Sequence, residues 1–437
     1  MMTFGFLTSG AFPQAQVREK PKLKDFGSSL RRLKWDPVKK EARETYRPTN
    51  GTSDEDVIVV DTTLVACDLL ITDRQGRPVK GLTANDFAIT EDGIPQTVGH
   101  FFLGDNVNRP RSIVLIIDYS RSQFPYVNDS IEAAKVFVDK LASLDRIAVV
   151  TDDVELLVDF TNDRSLVKKR LDSLIERNKG SKGFLGLRDK RPFFGRSAQF
   201  SALMATLKEA FDDEDERPII VFQTDGDELE YLRDPIITPT VPPDLPTDLR
   251  EEVQNEVEQR KKLQAASVTE FSLDDVYREI EKSRATIYTI IPGIRLLGLS
   301  HDEQLRRLKT KDEKTVSTWE EATPAKTKEV FEAREEQRRK RLLPQILETT
   351  LDEDLKVQST LFEVAKTSGG WAEFLETQSQ ATAIYSRILA DLNERYIVGY
   401  YPTNKERDGK RRKITLEVKG HPEYVITGRK SYYAPEP

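Results

Sequence analysis

Three oxygen-bearing side chains stand at alternate positions in Asp118-Tyr119-Ser120-Arg121-Ser122. A carboxylate and two hydroxyls at this spacing, in a loop that leaves a strand, suit a hard cation such as Mg²⁺, which takes oxygen ligands at about 2.1 Å in near-octahedral geometry. The same residue types also build an ordinary strand-to-helix turn, in which Ser side chains satisfy backbone N–H groups. Other cation chemistry finds little support. His100, His301 and His421 are scattered and fall into no zinc-ligand spacing. Cys67 is the only cysteine, so neither an internal disulfide nor a Cys-rich zinc site exists. It sits in the apolar run Leu64-Val65-Ala66-Cys67-Asp68-Leu69-Leu70 and reads as a small core residue.

The element that must position Asp118 is the run Ile113-Val114-Leu115-Ile116-Ile117. It has no period-2 alternation, as expected for a strand buried on both faces of a parallel sheet. In open α/β sheets the carboxyl ends of such strands are where ligands bind. A second run of this kind, Pro218-Ile219-Ile220-Val221-Phe222-Gln223, ends in Thr224-Asp225-Gly226-Asp227, and Ala285-Thr286-Ile287-Tyr288-Thr289-Ile290-Ile291 is a third. Helical spacing follows the first run over 128–141, in Ile131, Ala134, Val138 and Leu141, and again over 163–175. Further helices are expected over 249–263, 271–283 and 378–392. Strands alternating with helices predict a doubly wound, mainly parallel α/β sheet.

Asp-x-Ser-x-Ser after a hydrophobic strand resembles the metal-ion-dependent adhesion site of von Willebrand factor type A domains. Two later segments extend the likeness. Gly195-Arg196-Ser197 opens a helix where that family has a Gly-rich loop with a Thr, and Asp225 follows a central strand where the family has an Asp that reaches the metal through water. The resemblance implies a metal set of Asp118, Ser120, Ser122, Ser197 and Asp225, holding Mg²⁺, Mn²⁺ or Ca²⁺. It also implies an open coordination position filled by an Asp or Glu carboxylate of a protein partner. Ser197 has a second reading as a helix N-cap. Asp227 and Glu228 are expected in a solvated loop. Two other functions stand beside adhesion. One is a structural scaffold with an empty site. The other is a Mg²⁺-dependent phosphotransferase of haloacid-dehalogenase type, which needs a second Asp where Ser120 stands. Binding rather than catalysis is the expectation. A dinucleotide fold is disfavoured, since no Gly-x-Gly-x-x-Gly follows the first strand.

Short β-branched runs between residues 57 and 104 and again after 394, punctuated by Gly and Pro turns, predict a β-sandwich built from both ends of the chain. The organisation read from the sequence is then a signal-peptide remnant at 1–16 and a linker at 17–56. An N-terminal β-unit follows at 57–104 and a von Willebrand A-type domain at 110–292. A charged helical insertion at 293–358 precedes the end of that domain at 359–393, and sandwich-completing strands occupy 394–434. This order resembles large bacterial extracytoplasmic proteins with von Willebrand A-related domains, which implies a secreted location. No run reaches the ~18–20 apolar residues of a membrane span. A net charge of −7 gives no electrostatic footprint for nucleic acid.

Overall fold

The computed structural model describes residues 33–36, 41–44, 64–103, 111–120, 122–123, 126–179, 197–211, 217–322, 332, 336 and 340–436. The expected leader, the strand expected at Val57-Ile58-Val59-Val60, most of the basic loop over 177–194 and most of the charge-dense helix expected over 326–341 lie outside the described residues. Within the expected linker, β1 (Leu33–Asp36) and β2 (Glu41–Glu44) pair as an antiparallel ribbon.

The N-terminal sandwich strands are β3 (Val65–Thr72), β4 (Phe87–Glu91), β5 (Ile94–Gln96) and β6 (Val98–Leu103). Inward positions on β3 are Val65, Cys67, Leu69 and Ile71, so burial alternates with the period of two of a strand half-buried in a sandwich. The chain then enters the α/β domain through β7 (Arg111–Ile117), α1 (Val127–Lys140), β8 (Arg146–Thr151), β9 (Leu156–Thr161), α2 (Arg164–Lys179) and α3 (Gln199–Glu209). It continues with β10 (Arg217–Gln223), α4 (Thr247–Ala265), α5 (Leu273–Lys282), β11 (Thr286–Pro292), α6 (His301–Ala322) and α7 (Pro344–Thr367). The domain closes with β12 (Ala372–Leu375) and α8 (Ala381–Glu394). The last strands are β13 (Tyr396–Tyr400), β14 (Arg411–Val418), β15 (Val425–Thr427) and β16 (Ser431–Tyr433).

The six-stranded sheet runs β12-β11-β10-β7-β8-β9, and every pairing is parallel except β8 with β9. All seven residues of β7 are buried, for a simple reason. Val114 and Ile116 pack on one side with Phe200 of α3, Val276 of α5 and Leu361 of α7. Ile113, Leu115 and Ile117 pack on the other with Phe137 of α1, Leu171 of α2 and Tyr385 of α8. Helices on both faces therefore account for the unbroken apolar run.

Two four-stranded antiparallel sheets, β15-β3-β13-β6 and β16-β14-β4-β5, form the sandwich. Each mixes strands from both ends of the chain, with β13 between β3 and β6. Its core carries one buried carboxylate, Glu91, which accepts hydrogen bonds from the hydroxyls of Tyr400 (2.9 Å) and Tyr432 (2.8 Å). Asp68 of β3 ties the sandwich to the α/β domain through a two-point pair with Arg217 at the start of β10, at 2.5 and 2.8 Å. The fully buried Arg395 completes that joint by donating to Asp391, to the Gly369 carbonyl and to the Asp68 carbonyl.

The segment over 293–358 has a small core of its own in Leu296, Leu308, Leu347 and Leu351. Helix α7 runs straight through the boundary expected at 358/359 and puts Leu361 and Val364 on the sheet.

Candidate metal centre

Counted from β7, the strand order of the sheet reads 3-2-1-4-5-6, so connections leave β7 and β10 in opposite directions. That is the switch point at which open α/β sheets bind ligands. Asp118 and Thr224-Asp225 are the first residues past these two strands. The ladder continues beyond the strands themselves: Asp118 N donates to Gln223 O (3.1 Å), Thr224 N to Ile290 O (3.0 Å) and Asp152 N to Ile117 O (3.0 Å). Three carboxylates are thereby delivered side by side at the carboxyl edge, one from each of β7, β8 and β10.

The Asp118 carboxylate is buried, 1% exposed. Its Oδ1 accepts from Ser120 N at 2.9 Å, and its Oδ2 accepts from Gln199 Nε2. Gln199 Nε2 also donates to Asp225 Oδ1 at 2.9 Å, so one amide nitrogen bridges the two carboxylates. Gln123 Nε2 donates to the other oxygen of Asp225 at 2.7 Å. The Ser120 and Ser122 hydroxyls are 2.9 Å apart. Asp118, Ser120, Ser122 and Asp225 thus lie in one connected group. Ser197 is placed differently. Its hydroxyl donates to Asp152 Oδ2 at 3.0 Å, and the other oxygen of Asp152 takes Tyr119 N at 3.2 Å. Nor does Ser197 cap α3. The N-cap is Ala198, and the free first-turn N–H groups of Phe200 and Ser201 are taken by Glu228 at 2.5 and 2.9 Å.

Gathering desolvated acids has an electrostatic cost. Burial, then the charges of Asp225 and Asp152, push the Asp118 carboxyl well above the usual carboxylate range, against the opposing bonds from Ser120. Burial, then the neighbouring Asp153, pushes Asp152 up to about 7. Burial alone pushes Glu228 up to about 7, against hydrogen bonds from Ser201 and Phe200.

Helices α6 and α7 reach the flank of this group. Lys311 of α6 donates to Asp354 of α7 at 2.8 Å, and its charge acts on both Asp225 and Tyr126. Gly226 adopts φ +83°, and a Cβ there would stand 2.7 Å from Val357 Cγ1, so α7 abuts the Asp225 loop directly.

Residues that sequence reasoning passed over matter here. Asp152 was legible in principle, since it follows the buried strand β8 as Asp118 follows β7. Glu228, expected in a solvated loop, is 4% exposed and is the cap of α3, whereas Asp227 is exposed. Gln199 and Gln123 carry no sequence signal of their own; only packing brings their amides to the carboxylates.

The donor set fits a hard cation. Among the described residues, no group of three or more His, Cys, Asp or Glu side chains is arranged to hold a metal ion. A cation here must therefore draw on hydroxyl and amide oxygens as well as carboxylates, and every available donor is oxygen. One of them is conspicuous: Gln123 Oε1 is buried and has no hydrogen-bond partner among the described residues, although the same amide is bonded to Asp225. A buried oxygen without a partner is uncommon enough to need an explanation.

No family model and no curated protein matches this chain. Solved structures that superpose on it include the conserved hypothetical protein BatB from Bacteroides thetaiotaomicron (12% identity, TM-score 0.32, covering 64% of this chain and 98% of that one). Others are the vWF domain of the type V pili tip protein Mfa5 from Porphyromonas gingivalis (13%, TM-score 0.31, 65% and 95%) and a von Willebrand factor type A structure from Catenulispora acidiphila (12%, TM-score 0.28, 86% and 75%). The chain's own strand order makes it a doubly wound, mainly parallel α/β domain joined to a β-sandwich built from both ends of the chain.

Proposed function

We propose that this protein binds a divalent cation, Mg²⁺ or Mn²⁺ or Ca²⁺, at the carboxyl edge of its α/β sheet and uses it to hold a carboxylate of a protein partner. One observation carries the reading: Asp118 and Asp225 are brought together at the switch point with the Ser120 and Ser122 hydroxyls, and among the described residues no basic side chain bonds either carboxylate. Asp118, Ser120, Ser122 and Asp225 would hold the ion, with the Gln123 amide beside Asp225. Ser197, bonded to Asp152, would have to turn to take part. When bound, the cation supplies positive charge that attracts an external Asp or Glu. The chain's own residues fix the oxygens in place. Binding rather than catalysis is part of the proposal, because Ser120 stands where a phosphotransferase of the weighed type needs its second carboxylate. A secreted setting suits such a role.

Calorimetric titration of Mg²⁺ into chelator-treated protein tests the proposal, with the Asp118→Ala variant alongside. The expected result is saturable binding that the variant loses while remaining folded by circular dichroism. Equal binding by the two proteins would remove Asp118 from the site, and flat traces from both would end the cation reading and favour the scaffold.

A further inference from the structure

Gln199 is 0% exposed and sits at the first position of α3. Three contacts fix its amide. Nε2 donates to Asp118 Oδ2 and to Asp225 Oδ1 (2.9 Å), and Oε1 accepts from Glu228 N at 3.1 Å. These partners settle which end of the amide is which. A flipped amide would turn its oxygen on two carboxylates and its NH₂ on a backbone N–H, losing all three bonds. The backbone beneath it is also held, by Ala198 N on Asp152 O at 2.8 Å and by the Glu228 carboxylate on Phe200 N and Ser201 N. The Gln199 Cα therefore cannot drift, and only the side chain can leave.

A neutral NH₂ group thus lies between the two carboxylates that a cation would bridge. We propose that Gln199 gates the cation site: its amide is a built-in placeholder that pairs Asp118 with Asp225 in the cation-free protein and must swing away when an ion enters. The inference rests on the cation reading of the site and deepens it, by naming the residue that sets the affinity threshold. The acidic group alone would not support it. The independent observation is Gln123, 2% exposed, whose Oε1 has no partner among the described residues while its Nε2 is bonded to Asp225 at 2.7 Å. A buried oxygen left without a partner beside this carboxylate pair calls for a donor or a cation that the described residues do not supply.

Two consequences follow in opposite directions. Without a cation, losing the amide strips the buried Asp118 Oδ2 of its donor and leaves Asp225 Oδ1 only the Asp227 N–H at 3.2 Å, so the chain becomes less stable. With a cation, no hydrogen bonds must be broken on entry, so binding tightens. The displaced amide regains hydrogen bonds elsewhere, so only part of the two bonds is a net cost of entry, and the expected gain on deleting it is roughly ten- to hundredfold in cation affinity.

The test uses the full chain with Mn²⁺ alone as probe. Gln199→Met keeps the length and volume of the side chain and deletes the amide. Mn²⁺ affinity is measured by calorimetry, and stability by urea unfolding in chelator and in saturating Mn²⁺. The expected result is tighter Mn²⁺ binding by the variant, lower stability in chelator and recovery on adding Mn²⁺. Equal or weaker binding by the variant, with wild type still binding, overturns the gate and leaves the cation reading standing. No binding by either overturns both. Should Gln199→Met fail to fold, Gln199→Glu replaces it: an added carboxylate must also lower stability in chelator and tighten Mn²⁺ binding, and unchanged affinity refutes the gate.

Discussion

Glu228→Gln gives the sharpest stability prediction. Glu228 is buried, and its carboxylate accepts from Phe200 N (2.5 Å), Ser201 N (2.9 Å) and Ser201 Oγ (2.6 Å) at the start of α3. Burial outweighs those bonds and lifts its pKa from 4.5 to about 7. The folded chain therefore holds this proton more tightly than the unfolded chain. Its contribution to stability is complete below pH 4.5 and decays as pH rises through 7. Above that, the folded state carries the whole cost of ionising a buried carboxyl, roughly 3 kcal/mol from a shift of this size. Glutamine keeps an oxygen for the two N–H groups and can donate to Ser201 Oγ, with nothing to ionise. The variant should match wild type at pH 4.5 and exceed it by about 1–3 kcal/mol at pH 8. Urea unfolding at the two pH values, in chelator and at fixed ionic strength, measures the difference. A variant destabilised equally at both would refute the reasoning, because it would mean that the ionised carboxylate on the helix N-terminus is worth more than its desolvation costs.

Other expectations concern the packing that holds the site in place. A Cβ on Gly370 would stand 1.9 Å from the Ile287 carbonyl oxygen, a backbone atom of β11 that cannot yield, so Gly370→Ala should cost about 3 kcal/mol or more by thermal unfolding. Burial pushes the Cys67 thiol up to about 12, so a thiol-specific chromogenic reagent at pH 8 should leave it unmodified in the native protein and react fully in urea.

The strand ends that carry the carboxylates were legible in the sequence because burial on both faces leaves a plain mark. The run over 113–117 has no polar position, and the Asp that terminates it must lie at the carboxyl edge whatever helices cover the sheet. The same logic places Asp225 after β10. The two-ended sandwich was legible for a related reason: the short β-branched runs before residue 104 and after 394 are punctuated by Gly and Pro turns, and neither set has enough partners nearby in sequence to bury an inner face. The second half of the site was hidden. Gln199 is a helix residue 81 positions from Asp118, and nothing in its neighbourhood marks its amide as a bridge. Ser197 was placed by analogy with a loop motif, but a hydroxyl in a crowded acidic group bonds the nearest acceptor, and here that is Asp152. Glu228 looked like one charge among several in Asp227-Glu228-Leu229-Glu230. Its burial depends on how the 3₁₀ turn over Asp227–Tyr231 folds under α3, which no local pattern reports.

The central claim is that a divalent cation sits between Asp118 and Asp225. The most direct measurement is an anomalous difference map from crystals soaked in Mn²⁺. The account predicts a single strong peak in contact with Asp118 and Asp225 oxygens and the Ser120–Ser122 pair, with the Gln199 amide turned away from both carboxylates. A map with no peak there, and with Gln199 still bridging the two acids at saturating Mn²⁺, would contradict it.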